Sequence, residues 1–139
     1  MNRRLSTTER IEKNLGIARL FLETPLAVPL AEEIVVQDLA QNCTYRRRGG
    51  VQRLLQAFFA EGFSEVRLNP QTVLADEKAA MVEFVFYGRH AGVFMSIPAT
   101  GQRVAVPMVL VCQIAEGFVV HISWYYDAGT LLRQMRLAL

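Results

Sequence analysis

In the segment Lys78-Ala79-Ala80-Met81-Val82-Glu83-Phe84-Val85-Phe86-Tyr87-Gly88-Arg89-His90, every second residue from Val82 to Phe86 is apolar, and Gly88 and His90 continue the same side. Successive strand residues point to opposite faces, so the pattern predicts a long strand with one buried face. The same period governs Glu65–Ala75 before it and Gln102–Ala115 and Phe118–Tyr126 after it. Asp76-Glu77 and Glu116-Gly117 are short enough to close hairpins, while Pro98-Ala99-Thr100-Gly101 makes a longer connection. Pro70 and Pro107 each lack a ladder donor, which predicts a sheet edge or a bulge at both.

Upstream of this meander the spacing is helical. Ser6 and Glu9 form a capping box, and Ile11, Leu15, Ala18 and Leu22 follow as one stripe that ends at Pro25. Pro29 is placed to open a second helix carrying Leu30, Ile34 and Leu39 on one side. Cys43–Arg46 reads as a short strand. After Gly49-Gly50, Val51, Leu54, Leu55, Phe58 and Phe59 give the strongest helical pattern, stopped by Gly62. Ala128–Leu137 reads as a short closing helix. Three helices followed by a meander is an α+β arrangement, with helices gathered on one face of an antiparallel sheet. Strands this long must curve, and helices across the concave face then enclose a cavity.

The length, 139 residues, suits a single domain spanning 1–139. Hydrophobic residues make up 52% and charged residues 20%, which leaves apolar surface for a pocket or a subunit interface. Fifteen basic and 13 acidic residues are too balanced for a nucleic-acid-binding face. Cys43 and Cys112 are far apart and only two histidines accompany them, so no metal site is expected, and both cysteines are read as reduced and buried. The basic start is followed by polar residues rather than an apolar run, which predicts no signal peptide, no membrane span and a cytoplasmic location.

Gly88-Arg89-His90-Ala91-Gly92-Val93-Phe94 and Ile97-Pro98-Ala99-Thr100-Gly101-Gln102-Arg103-Val104, with the ending Tyr125-Tyr126-Asp127-Ala128-Gly129-Thr130-Leu131-Leu132-Arg133-Gln134-Met135, resemble motifs of the SnoaL-like polyketide cyclases. The resemblance is good from about Gly49 onward. It implies the cone-shaped fold of the nuclear transport factor 2-like superfamily, with a strongly curved antiparallel sheet, three N-terminal helices over its concave face, an apolar cavity and a homodimer. It also implies ring closure or isomerisation of a hydrophobic, polyketide-like carbonyl compound with no cofactor. Other branches of the superfold only bind, so a non-catalytic ligand-binding or assembly module is the alternative.

By resemblance Asp127 is the candidate general acid/base, raised in pKa if it sits at the mouth of an apolar cavity. Preceding a helix, it is equally placed to be that helix's N-cap. His90, at the end of a strand whose alternate residues are apolar, is the candidate carbonyl-polarising or proton-relaying partner. Tyr45, Phe58, Phe59, Phe84, Phe86, Trp124 and Tyr125 are the candidate pocket walls, with core packing as the ordinary alternative for the aromatic residues. In the last strand His121, Ser123, Tyr125 and Asp127 share one face and Val120, Ile122, Trp124 and Tyr126 the other; the expectation is that Tyr125 and Asp127 reach the pocket mouth. Arg46-Arg47-Arg48-Gly49-Gly50 reads either as an anion cradle or as a solvated basic loop.

Overall fold

The computed structural model describes residues 4–136. Helix α1 (Thr7–Glu23) leads through a 3₁₀ turn at Pro25–Ala27 into β1 (Leu30–Asp38) and β2 (Cys43–Arg46). Helix α2 (Arg48–Gln56) widens into a π-type turn (Ala57–Glu61) before β3 (Phe63–Ala75), β4 (Ala79–His90), β5 (Arg103–Ala115), β6 (Phe118–Tyr126) and α3 (Ala128–Arg136). The predicted last residue of the closing helix, Leu137, lies outside the described residues.

The strands form one sheet in the order β2-β1-β6-β5-β4-β3. All neighbours are antiparallel except β1 and β6, so the sheet is mixed rather than wholly antiparallel as expected. The cause is a misread segment: residues 30–38 form a strand, not the second helix expected from Leu30, Ile34 and Leu39. Ile34-Val35-Val36 is a β-branched run that suits a pleated surface better than a helix, and Ile34, Val36 and Asp38 are buried at every second position. Because the chain enters β1 from a helix rather than a hairpin, it is free to run parallel to β6. Two α-helices, not three, therefore precede the meander.

The four meander strands match their expected spans within two residues. The capping box is present: Glu9 N–H donates to Ser6 Oγ (3.1 Å) and Ser6 N–H to Glu9 Oε1 (3.2 Å). The buried stripe of α1 is Asn14, Ile17, Ala18 and Phe21, rotated from the one expected. Glu116 and Gly117 close their hairpin with φ of 53° and 82°. Pro70 lies on the edge strand β3, beside a register shift between Pro70 and Thr72. Pro107 faces the β6 side one position beyond the last β5–β6 pair, Met108 with Tyr126, so no ladder bond is lost there. Two residues earlier, Ala105 meets Gln134 of α3 instead of a strand: Ala105 N–H donates to Gln134 Oε1 (2.7 Å) and Gln134 Nε2–H donates to Ala105 O (3.1 Å). One carboxamide thus continues the ladder where β6 ends.

Val82, Phe84 and Phe86 of β4, Val106, Met108 and Leu110 of β5, Ile122 and Trp124 of β6, and Ile34 and Val36 of β1 form the inner face of the sheet and are almost wholly buried. Helix α1 and the π-type turn after α2 cover that face through Phe21, which meets Phe84 at 5.7 Å, and through Phe58, whose ring lies 4.5 Å from Trp124. The π-type turn ends where Gly62 N–H reaches back to Ala57 O (2.8 Å); a Cβ on Gly62 would stand 2.5 Å from that oxygen, so only glycine fits.

Candidate functional site

His90 is fully buried on the inner face, its ring 5.7 Å from that of Phe63. Thr100 N–H donates to His90 Nδ1 (3.3 Å), and Thr100 Oγ1 lies 2.9 Å from the same nitrogen. A nitrogen that accepts an N–H bond carries no proton, so the neutral ring is protonated at Nε2, which has no partner among the described residues. With His90 N–H donating to Gln102 O (2.8 Å) and Gly101 N–H to His90 O (2.9 Å), the histidine, threonine and glycine of the motif pin the connection between β4 and β5.

Asp127 is exposed and sits just before α3. Its Oδ1 accepts from Gly129 N–H (2.9 Å) and Thr130 N–H (3.3 Å), and its Oδ2 accepts from Thr130 Oγ1 (3.0 Å). The hydrogen bonds from Thr130, chiefly from its side chain, hold the carboxyl below the ordinary range. This is helix capping, and the shift is opposite to the one a general base in an apolar mouth would show. The strand register places Asp127 level with Pro107 and Val85, so it stands about five strand residues, roughly 16 Å, short of His90. The fold does not bring the two together.

Removing the cap should lower stability in a pH-dependent way. A carboxyl whose folded pKa is depressed stabilises above its unfolded value and loses that contribution as pH falls through the folded value. Asp127→Ala is therefore expected to melt below the wild type at neutral pH, with the gap closing below about pH 4. Paired melting curves across that range check it.

Of the expected pocket walls, Tyr45 lines an open cleft and Phe58 backs it with no exposed surface of its own, while Phe84, Phe86 and Trp124 are wholly enclosed in the core and Phe59 is stacked on Trp124 at 5.9 Å. Tyr125 is corrected outright. It points to the outer face and is 47% exposed, because the inner face of β6 is the apolar one, carrying Ile122, Trp124 and Tyr126. The enclosed apolar cavity expected from long curved strands is filled by these rings. Between α1 and the sheet only about 10 Å³ remains, too little for more than a single water. The cysteines are free, as expected, but Cys43 is exposed; Cys112 is buried, and burial alone pushes its thiol up to about 12.

The cleft, about 490 Å³, is lined by Gln41, Tyr45, Arg53, Phe58, Phe94 and Met95 with neighbouring small residues. A larger hollow of about 840 Å³ lies among charged residues of α1 and the hairpin turns, where Arg10 pairs with Glu77 (3.2 Å). None of its lining residues hydrogen-bonds a buried carboxylate, as the cleft's Gln41 does with Asp38, so it is the poorer candidate for chemistry.

Behind the cleft is a buried polar network that the sequence reading missed. Asp38 closes β1 with no exposed surface. Its Oδ1 accepts from Gln41 N–H (3.0 Å), and its Oδ2 accepts from Gln41 Nε2–H (3.1 Å) and from Tyr126 O–H (2.7 Å). Gln41 Nε2 also donates to the Tyr126 oxygen at 2.6 Å. Burial first, then the bond to Asp38 and its charge, pushes the Tyr126 phenol well above its usual value despite the opposing bond from Gln41. Tyr126 is therefore a neutral donor at physiological pH. Burial raises Tyr45 in the same sense. Asp38 falls on the buried parity of Ile34 and Val36, a signal that the helical reading of residues 30–38 concealed. No group of three or more metal-ligating side chains occurs among the described residues.

A comparison with curated proteins finds no match. Among solved structures, a candidate SnoaL-like polyketide cyclase from Jannaschia sp. CCS1 is similar at a TM-score of 0.77 and 20% identity, over 100% of this chain and 99% of that one. A candidate polyketide cyclase from Xanthomonas campestris pv. campestris matches at 0.77 and 20%, over 91% and 98%. A protein of ketosteroid isomerase-like fold from Catenulispora acidiphila, in complex with trimethylamine, matches at 0.67 and 19%, over 96% of each chain. At these identities the likeness is one of fold, and it is the ketosteroid isomerase-like fold. The model of the SnoaL-like polyketide cyclases matches residues 24–135, taking in Asp38, Gln41 and Tyr126 together with the motif residues His90 and Asp127, and the chain belongs to that family.

Proposed function

We propose that this protein is a cofactor-free cyclase or isomerase that enolises a hydrophobic carbonyl compound in the cleft, with Asp38 as base and Tyr126 as proton donor. The observation that carries the reading is the 2.7 Å hydrogen bond between Tyr126 and a fully buried carboxylate, directly behind the cleft-lining Gln41. In this reading the base role passes from Asp127, occupied as a cap, to Asp38, and His90 holds the β4–β5 connection.

Displacement of the Gln41 side chain by substrate would uncover both groups. Asp38 takes the proton from carbon beside the carbonyl, and the C–H electron pair moves into the enolate. Tyr126 gives its proton to the enolate oxygen, and the protonated Asp38 returns one to the phenolate. Both residues end in their starting states, and the net change is keto to enol. The enol then attacks a second carbonyl in a cyclase, or is reprotonated elsewhere in an isomerase. The test is a ring-ketone panel assayed for turnover and for solvent deuterium uptake, comparing wild type with Tyr126→Phe.

A non-catalytic binding module is the second reading, favoured by one fact: both carboxyl oxygens of Asp38 already accept hydrogen bonds from within the protein. That reading predicts ligand binding without deuterium uptake. Under either, a homodimer is proposed, joined through the outer face where Met81, Val85, Val109, Val111 and Tyr125 stay partly exposed. Light scattering should give twice the 15.7 kDa chain mass for the wild type and a monomer for Val109→Asp; a monomeric wild type contradicts it.

A further inference from the structure

Arg46 and Arg47 lead into α2, Arg48 opens it and Arg53 lies within it, and two of the four guanidinium groups are paired. Arg47 meets Glu33 at 3.1 Å and Arg48 meets Glu32 at 3.3 Å, tying the start of α2 to β1. Arg53 is different. It lines the cleft, and among the described residues no carboxylate pairs with it. Its guanidinium lies back over the preceding turn, within 3.7 Å and 3.9 Å of where side chains on Gly49 and Gly50 would begin. The Arg53 side chain is exposed, so the group is open to a ligand in the cleft. Among the described residues no other formally charged side chain lines the cleft, and its remaining walls are mainly apolar.

We infer that the substrate is an amphipathic acid: an apolar keto compound whose carboxylate is held by Arg53 while its apolar body lies against Tyr45, Phe94 and Met95. The inference rests on the cleft being the reactive site and narrows what it takes. Arg53 of α2 stands five residues before Phe58 of the π-type turn that continues it, roughly 7.5 Å along the helical axis. The Phe58 ring is 5.8 Å from that of Tyr126. The acid group is thus set apart from the reacting carbonyl by the ring body, so Arg53 orients the ligand and is not catalytic. A guanidinium binds a carboxylate through two parallel N–H bonds, and an ester cannot accept them with a full charge.

The test uses a tetralone carboxylate and its methyl ester as matched probes, with affinities read by calorimetry on wild type, Arg53→Gln and Arg53→Lys. Arg53 is exposed, so both variants are expected to fold. The wild type should bind the acid about fivefold to tenfold more tightly than the ester, a modest margin because the pair is partly solvated. Arg53→Gln should bring the acid down to the affinity of the ester, and Arg53→Lys should restore part of the gap. Equal affinities in the wild type, a preference that survives Arg53→Gln, or no binding of either probe at millimolar concentration would each overturn the inference. Because the readout is binding, acid preference without deuterium uptake would sink the enolisation reading and leave this one standing.

Discussion

Phe58→Ala is expected to destabilise the protein by about 3–5 kcal/mol, the ordinary cost of removing a buried phenylalanine ring. Phe58 has no exposed surface, and its ring meets Phe59, Phe86, Phe94, Trp124 and Tyr126 at 4.5 to 6.1 Å. Those partners come from the same helical segment, two strands and the β4–β5 connection, so no single movement can close the void. The cost is a large share of the roughly 5–15 kcal/mol that holds a typical domain together, and the melting temperature should fall by about 10–20 °C. Phe58→Leu, which keeps most of the volume, should cost much less. Chemical denaturation of the three proteins decides it. A loss under about 1 kcal/mol in Phe58→Ala would mean that the aromatic cluster is not the packed core it is taken to be.

Tyr126→Phe carries the largest effect expected on chemistry. It keeps the ring and removes the proton that the proposed mechanism gives to the enolate oxygen. Turnover should fall about 10²-fold or more, the usual worth of a positioned acid–base group. The same change removes one of the three donors to Asp38 and the acceptor for one Gln41 bond, costing about 1–3 kcal/mol. The protein stays folded at that cost, so lost turnover can be separated from lost structure. Asp38→Asn should likewise abolish turnover. Asp127→Asn should leave it near the wild-type level while still disturbing the cap. A profile in which Asp127→Asn is dead and Tyr126→Phe is active would restore the base role to Asp127.

Much of the meander was legible because its strands have one buried face, and burial on one face writes period two into the sequence. Ala79–His90 shows this most directly: the apolar parity of Val82, Phe84 and Phe86 is the inner parity of the strand, whereas in Phe118–Tyr126 the polar parity of Tyr125 and Asp127 was expected at the pocket and faces outward. Residues 30–38 were illegible for the converse reason. Leu30, Ile34 and Leu39 fit a helical spacing that outweighed the β-branched run Ile34-Val35-Val36, and the pairing of Val36 with Ile122 and Asp38 with Trp124 establishes the strand. That error hid Asp38, since an acid in a presumed surface helix is unremarked, whereas an acid on the buried parity of a strand is costly and demands partners. The partners come from Gln41, three residues on in the chain, and Tyr126, 88 positions away, a distance no local pattern spans. The ending motif, by contrast, was read correctly as special, but three of its residues serve different ends. Tyr126 joins the buried network, Asp127 caps α3, and Gln134 completes the β5 ladder.

The most direct test of the central claim is deuterium uptake from heavy water into the α-carbon of a ring ketone, followed by NMR with wild type, Asp38→Asn and Asp127→Asn side by side. The account predicts exchange with the wild type and with Asp127→Asn, and background exchange with Asp38→Asn. Exchange that persists in Asp38→Asn and disappears in Asp127→Asn would contradict it.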